Sequence, residues 1–271
     1  MLITSDAKVY ERITPFIQRV LIVDPQPAAV RLLTDVLRDI ARCQIWSAPN
    51  PDRGMALAKS VNPQIIFVEQ STAIDGIGLT RSIRQSTFSC RQAPVIMVTS
   101  EATAGVILGA RDAGAHEFLR KPFTTKDLVR RLEAVTLRQR DWIEAVNYIG
   151  PDRRRFNSGD YAGQLKRQSD ALVSSDSSKL SQALKILNSA LSSITTDPEQ
   201  VLRAMLAQAQ ECGRCGTALV LPGLVTASAQ LLAYLQDATA QTLDRNVLEG
   251  HILALCAFMP ADQAGGRSIA A

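Results

Sequence analysis

Apolar residues in the first half of the chain form short runs that alternate with amphipathic stretches. The runs have the length of buried strands and lie at 20–23, 44–47, 65–68, 94–99 and 116–119. Between them, apolar residues recur at helical spacing, for example Val30, Leu33 and Leu37. This alternation predicts an α/β domain with a five-stranded parallel sheet covered by helices on both faces.

The second half has a helical pattern throughout. Its first stretch carries one apolar stripe at steps of four and three residues, formed by Leu180, Leu184, Leu187, Leu191 and Ile194. Asp197, Pro198 and Gln200 have the spacing of a capped helix start, and further helical stretches follow at 224–235 and 243–258. The pattern predicts a small all-α helical bundle.

Breaks between these patterns divide the chain into five parts. They are an N-terminal lead-in, a domain with an extended last helix, a polar basic linker, a bundle and a flexible tail, at 1–18, 19–148, 149–178, 179–260 and 261–271. No Gly or Pro lies between Pro122 and Gly150, so the last helix of the first domain is expected to continue through Trp142. An exposed Trp142 patch would suit docking or a homodimer; the alternative is that these residues fold back on the domain.

Composition excludes several classes of protein. The 271 residues are 46% hydrophobic and 21% charged, as in ordinary globular proteins. No apolar run approaches the roughly 20 residues that cross a bilayer, so we expect no membrane insertion and a cytoplasmic location. The five cysteines favour reduced thiols over a disulfide framework.

The formal net charge of +4 is concentrated in one segment, 130–155, which holds seven arginines and four acidic residues. We interpret it as a solvated helix face followed by a charged linker, and the alternative is contact with nucleic acid phosphates. The helical half has no stretch rich in Arg, Lys, Asn or Gln of the kind that reads the major groove. Nucleic acid is therefore the less favoured partner.

Four polar residues follow the predicted strands: Asp24, Glu69, Thr99 and Lys121. The carboxyl ends of parallel strands meet at one edge of a sheet, which is where ligands bind in open α/β folds. These four side chains are therefore the predicted functional site.

Ordered motifs over 19–138 give the domain a family resemblance. They are Leu-Ile-Val-Asp ending at Asp24, Asp75-Gly76, Val98-Thr99-Ser100, Ala113-Gly114-Ala115 and Lys121-Pro122-Phe123. Together they resemble the flavodoxin-like receiver domain of bacterial response regulators. The resemblance implies an acidic pair for Mg²⁺ after the first strand, a phosphoacceptor aspartate after the third, a phosphate-contacting Thr99, a phosphate-pairing Lys121 and a cis Lys121–Pro122 bond. It also implies signalling through a face that includes Phe118, and we add Trp142 to that surface.

Two departures from the family pattern remove the implied chemistry. Pro25 stands where the second carboxylate of the acidic pair is expected, and Glu69 stands where the phosphoacceptor aspartate is expected. Mg²⁺ demands near-octahedral oxygen ligands, so its binding is doubtful and Asp24 is only a weak metal candidate. A glutamate also moves the attacking oxygen by roughly one bond length, about 1.5 Å, so we expect little or no phosphorylation.

Three interpretations of Glu69 follow. It forms a satisfied ion pair with Lys121 in a rigid binding scaffold, it imitates a phosphate permanently within reach of Lys121 and Thr99, or it retains residual phosphorylation. The preferred function is a non-enzymatic adaptor, a pseudo-receiver without cofactor that binds a histidine kinase, another regulator or a structural protein. The alternatives are a DNA-binding response regulator and a phosphorelay component.

Two features of the helical half bear on those alternatives. His251 is the only histidine there that could carry phosphate, but its apolar surroundings favour a packed or surface side chain. Cys212 and Cys215 have the spacing of half a zinc site or a redox pair, with no second pair to complete it. A turn between helices is the simpler interpretation of the glycines beside them.

Overall fold

The computed structural model describes residues 3–153 and 175–259, and these form two compact units. The first contains 3–143 and 148–153, and the second contains 144–147 and 175–259. Most of the predicted linker and the predicted tail lie outside the described residues.

The first unit contains the predicted parallel sheet. Its strands are β1 Arg19–Val23, β2 Gln44–Ala48, β3 Ile65–Glu69, β4 Val95–Thr99 and β5 Glu117–Arg120. They are ordered β2-β1-β3-β4-β5, and every neighbouring pair is parallel. The predicted five-stranded α/β fold class is confirmed. Because the order reverses beside β1, the carboxyl ends of β1 and β3 form the crevice where such folds bind ligands.

Helices of the first unit pack on both faces of the sheet. They are α1 Ile3–Ile13, α2 Pro27–Ile40, α3 Pro51–Val61, α4 Gly76–Gln85, α5 Ala104–Asp112 and α6 Thr125–Leu137. One apolar layer includes Leu37 and Leu132, and the layer on the other face includes Ile83. Side-chain caps fix where the helices begin: Thr124 and Asp127 form a capping box at α6.

The predicted N-terminal lead-in contains a helix that the sequence analysis missed. After α1, a single 3₁₀ turn spans Thr14–Phe16, and the chain then enters β1. Ile13 and Ile17 are fully buried in the same apolar layer as Leu132. The polar residues of α1 hid its apolar face, since that face contributes to the core only once α6 is in place.

The extended last helix is the main error of the sequence analysis. The helix α6 ends at Leu137, and two strands follow, β6 Trp142–Ala145 and β7 Tyr148–Pro151, which pair with each other. Arg140 lies between α6 and β6, where its guanidinium donates to the carbonyl of His116. This tertiary contact with the residue before β5 holds the chain against the first unit. No Gly or Pro near Leu137 marks the end of the helix.

The second unit is the predicted helical one. Its helices are α7 Ser175–Leu191, α8 Pro198–Ala218, α9 Pro222–Asp237 and α10 Arg245–Cys256, and they share one apolar core. The predicted turn at Cys212–Cys215 is wrong, because α8 continues through it. Its glycines serve helix packing: a Cβ on Gly213 would lie 3.1 Å from Ser228 Oγ, and one on Gly216 would lie 3.0 Å from a methyl of Val225. Among the described helices, none is long and apolar enough to cross a membrane.

Candidate functional site

The four predicted site residues lie at one edge of the sheet. Glu69 and Thr99 are the last residues of β3 and β4, Asp24 directly follows β1, and Lys121 directly follows β5. The ladder continues past the strand ends, since the Lys121 amide donates to the Thr99 carbonyl over 2.8 Å. The Lys121–Pro122 peptide is cis, as the resemblance implied.

Lys121 joins the two carboxylates. Its Nζ donates to Asp24 Oδ2 over 2.8 Å and also donates to Glu69 Oε2. The Asp24 and Glu69 side chains are only 8% and 7% exposed, against 22% for Lys121. The ammonium group therefore bridges two nearly buried carboxylates, and this ion-paired cluster is called the Lys121 bridge below.

Burial and pairing oppose each other within the Lys121 bridge. Desolvation raises the pKa of Glu69, and the hydrogen bond from Lys121 offsets only part of that rise. For Lys121, burial by itself lowers the pKa, but the hydrogen bonds to Asp24 and Glu69 outweigh it, so the pKa lies above its usual value. The lysine therefore stays charged at neutral pH and holds both carboxylates.

Thr99 is at the edge but outside the Lys121 bridge. Its side chain is fully buried, and Oγ1 accepts a hydrogen bond from the Glu101 amide over 2.9 Å. Within 3–153, no hydrogen bond joins the Thr99 hydroxyl to Glu69. The structure thus brings together Asp24, Glu69 and Lys121, whereas Thr99 caps the loop that follows its own strand.

The backbone fixes the position of Glu69 from the loop side. Asp75 accepts from the Gly78 amide over 2.8 Å at the start of α4, which places Gly76 against β3. A Cβ on Gly76 would lie 2.2 Å from the Glu69 carbonyl oxygen, so only glycine fits there. Glu69 is therefore held by its strand, by its loop and by Lys121.

An apolar cavity of about 190 Å³ adjoins the Lys121 bridge. Its walls include Leu33 from α2, Phe67 from β3 and Phe123 from the loop before α6. Apolar walls on one side of the carboxylates explain the desolvation that raises the pKa of Glu69.

The residues at this edge do not fit a Mg²⁺ ion. Asp24 Oδ1 accepts from the Gln26 amide over 2.8 Å, while Oδ2 accepts from Lys121. Pro25 offers no side-chain oxygen. The Lys121 ammonium group already lies between the carboxylates of Asp24 and Glu69. Within the described ranges, no group of three or more His, Cys, Asp or Glu side chains is arranged to hold a metal.

The predicted interaction surface is not open where we expected it. Phe118 is 4% exposed and belongs to the core layer that contains Ile83. Trp142 is half-buried, with the guanidinium carbons of Arg84 and Arg91 lying 5.4 and 5.9 Å from its ring centre. The alternative, in which these residues fold back on the domain, describes the position of Trp142.

Sequence reasoning also missed a buried charged cluster in the segment read as a solvated face. Glu117 is 2% exposed, and its carboxylate lies 3.2 Å from Arg131 Nη1 and 3.6 Å from Arg140 Nη2. Glu117 begins β5, and its acidic position at the start of an apolar run was the only available signal. The basic segment thus supplies counter-charges to a buried acid as well as surface charge.

The chemically distinctive residues of the second unit are packed. Cys212 and Cys215 are fully buried, and burial raises their thiol pKa values to about 12 and about 11. His251 is half-buried, with its ring centre 5.7 Å from that of Tyr234. Thiols with such high pKa values are not reactive at neutral pH.

Comparison with known proteins agrees with the fold of the first unit. Residues 20–133 match the model of the response regulator receiver domain. A probable chemotaxis protein CheY of Rhizobium etli is 30% identical over 118 residues, covering 43% of this chain and 91% of that protein. The chain belongs to the response regulator receiver family through this domain, and no family model matches the C-terminal half.

Two further matches each cover a little under half of this chain. The DNA-binding response regulator MtrA of Mycolicibacterium smegmatis is 30% identical over 128 residues, which are 46% of this chain and 53% of MtrA. A solved structure of the chemotaxis protein CheY4 of Vibrio cholerae covers 44% of this chain and 98% of its own, at 21% identity and a TM-score of 0.41. Similarity to MtrA thus spans about half of that regulator.

Proposed function

We propose that this protein is a non-enzymatic signalling adaptor whose receiver domain works without phosphorylation. One observation carries the proposal: Lys121 already bridges Asp24 and Glu69 in the unmodified chain. A phosphoryl group would have to displace this pairing, with no second carboxylate at Pro25 to help a metal neutralise its charge.

The geometry supports a fixed scaffold over a permanent imitation of phosphate. An imitation that works as the family does would draw Thr99 towards Glu69, but the Thr99 hydroxyl accepts from the Glu101 amide instead. Glu69 therefore acts as the third member of an ion-paired cluster. On this proposal the domain presents one conformation to a protein partner such as a histidine kinase or another regulator.

Intact-mass measurement after incubation with acetyl phosphate and Mg²⁺ tests this proposal. Wild type and Glu69→Asp are both expected to stay unmodified, because the aspartate restores the acceptor but not the metal site. The double variant Pro25→Asp/Glu69→Asp restores both carboxylates and is expected to gain a phosphate adduct. A stoichiometric adduct on wild type would falsify the proposal.

Partner binding provides a second test of the proposal. A pull-down with wild type is expected to capture the same proteins in equal amounts with and without acetyl phosphate. Glu69→Ala and Lys121→Ala are expected to change the amounts if the Lys121 bridge holds the binding conformation. Capture that depends on acetyl phosphate in wild type contradicts phosphorylation independence.

A further inference from the structure

A second cavity lies at the opposite edge of the same sheet. It has a volume of about 500 Å³ and opens at the amino ends of the strands, where Arg19, Gln64 and His116 line it. The segment after α6 also lines the cavity, through Arg138, Gln139, Arg140 and Trp142. All of its lining residues belong to the first unit, and its volume falls within the range of about 300–1,000 Å³ typical of ligand sites. We call it the arginine pocket.

The arginine pocket has one sign of charge. Arg19, Arg138 and Arg140 line it, and none of its described lining residues is Asp or Glu. Arg138 is exposed and forms no ion pair within 3–153 and 175–259. Arg19 uses its Nε to donate to the Asn62 carbonyl over 2.9 Å, which leaves its terminal nitrogens for another partner. Arg140 already pairs with the buried Glu117 at 3.6 Å, whereas Arg19 and Arg138 face no carboxylate. These two guanidinium groups favour an anionic ligand.

Two buried donors at the arginine pocket have no partner. The Arg140 side chain is 8% exposed, and although Nη2 donates to the His116 carbonyl, Nη1 has no hydrogen-bond partner in the described chain. Trp142 Nε1 is buried and lacks a partner in the same way. Buried N–H groups are rarely left unpaired, but both atoms are closed to a water-sized group, so a ligand acceptor reaches them only if neighbouring side chains move.

His116 adds a further donor. Its Nδ1 faces Arg84 Nη2 at 3.2 Å and the Val95 amide at 3.4 Å, and since both of these can only donate, Nδ1 must accept. Burial lowers the pKa of His116 well below its usual value, so the ring is neutral. The proton of the neutral ring is therefore on Nε2, which can donate to a ligand.

Aromatic rings complete the lining. Trp142 lies in the wall, and Phe16 lies at the amino end of β1 with 45% of its surface exposed. An exposed phenylalanine beside arginines is a ready surface for stacking a flat ring. Side-chain amides of Asn62 and Gln139 also line the cavity and can pair with the edge of a base.

We propose that the arginine pocket binds a nucleoside monophosphate, with the arginines on its phosphate and Phe16 or Trp142 against its base. Such a ligand offers an anion to Arg19 and Arg138, an acceptor to His116 Nε2 and a flat ring to the aromatic side chains. The site lies at the other edge of the sheet from the Lys121 bridge, so the receiver would sense a small molecule in place of a phosphoryl group.

Fluorescence titration of the full chain tests the proposal. The chain has two tryptophans, so a Trp46→Phe background leaves Trp142 as the reporter. AMP and GMP are the probes, with ribose 5-phosphate, adenosine and a single-stranded oligonucleotide as comparisons. At least one mononucleotide is expected to change the Trp142 signal saturably and to bind at least tenfold more tightly than ribose 5-phosphate or adenosine.

Matched variants locate the binding. Arg19→Gln/Arg138→Gln removes two pocket charges from accessible side chains and is expected to weaken mononucleotide binding at least tenfold. Arg53→Gln/Arg120→Gln makes the same change in net charge at exposed positions outside the pocket and is expected to leave binding unchanged. Circular dichroism verifies that both variants are folded.

Three results would overturn the proposal. They are no saturable response to AMP or GMP at millimolar concentration, equal weakening by the two double variants, and tighter binding of the oligonucleotide than of either mononucleotide. The last result would identify the pocket as part of a nucleic acid interface.

Discussion

The two edges of the receiver sheet differ in how their charges are balanced. At the carboxyl edge, the Lys121 ammonium group pairs with the carboxylates of Asp24 and Glu69. Glu69 stands where the family resemblance places the phosphoacceptor. At the amino edge, the half-buried Arg19 binds the Asn62 carbonyl, and it faces a cavity lined by no acidic residue among those described. A charge satisfied by another charge is closed to ligands, whereas a cation held by neutral carbonyls can still attract an anion.

Removal of Arg84 has the largest expected effect. Arg84 is 1% exposed and donates to the carbonyls of Gly114, Arg91 and Ala93 over 3.0, 2.6 and 2.9 Å. Arg84→Met leaves these acceptors unpaired, and we expect the free energy of unfolding to fall by about 4 kcal/mol in urea titration. Arg81→Met, on an exposed position of the same helix, is the control. Equal losses in both variants would contradict a structural role for carbonyl pairing at this edge.

Breaking the Lys121 bridge comes next. Lys121→Met leaves two nearly buried carboxylates together without their cation, and we expect a loss of about 3 kcal/mol at pH 7. The loss should shrink at alkaline pH: the raised pKa makes the contribution of Lys121 complete below its usual value of 10.5 and lost above its folded value. Lys59→Met, at an exposed position, is the control. If Lys121→Met lowers the free energy of unfolding by less than about 1 kcal/mol, the Lys121 bridge does not stabilise the carboxyl edge of the sheet.

Neutralising Glu69 has a smaller effect that depends on pH. Because desolvation raises the folded pKa of Glu69, its contribution is present below the usual value of 4.5 and declines as pH rises through the folded pKa. Wild type should therefore lose stability relative to Glu69→Gln as pH increases above 4.5. Unfolding in urea across pH 4–7 measures the difference, and Glu11→Gln, at an exposed position, is the control. If wild type instead gains stability relative to Glu69→Gln as pH rises, the lysine lowers the Glu69 pKa and the expectation is wrong.

The smallest effect is expected at the rim of the arginine pocket. Arg138 is exposed and unpaired within the described ranges, so Arg138→Gln should change the free energy of unfolding by less than about 0.5 kcal/mol. Thermal or urea unfolding measures this. A loss above about 1 kcal/mol would show that Arg138 is part of the structural framework, as Arg84 is.

Part of this arrangement could be predicted from the sequence because it depends on local pattern. The five strands follow from short apolar runs, and the carboxyl-edge residues follow from parallel pairing, which gathers whatever lies at the strand ends. The helices of the second unit follow from apolar spacing in the same way. Glu69 and Pro25 could be assigned to the site because they occupy positions within those motifs.

Other features could not be predicted because their partners are distant in sequence. Nothing near Leu137 signals that α6 ends there; Arg140 is drawn to His116 and Glu117 across more than 20 residues. The apolar face of α1 can be recognised only when α6 is packed beside it. The glycines of α8 suggest a turn in the sequence, and their role in packing against α9 is clear only in the structure.

The sequence by itself determined the α/β class, the edge of the sheet that carries Asp24, Glu69, Thr99 and Lys121, and the presence of Pro25 and Glu69 there. These are properties of residue type and strand order. Only the tertiary structure decided that Lys121 bridges Asp24 and Glu69 while Thr99 turns to its own loop. It alone also formed the arginine pocket, since a cavity is made by residues that are distant in the chain and meet only when the sheet and α6 have packed.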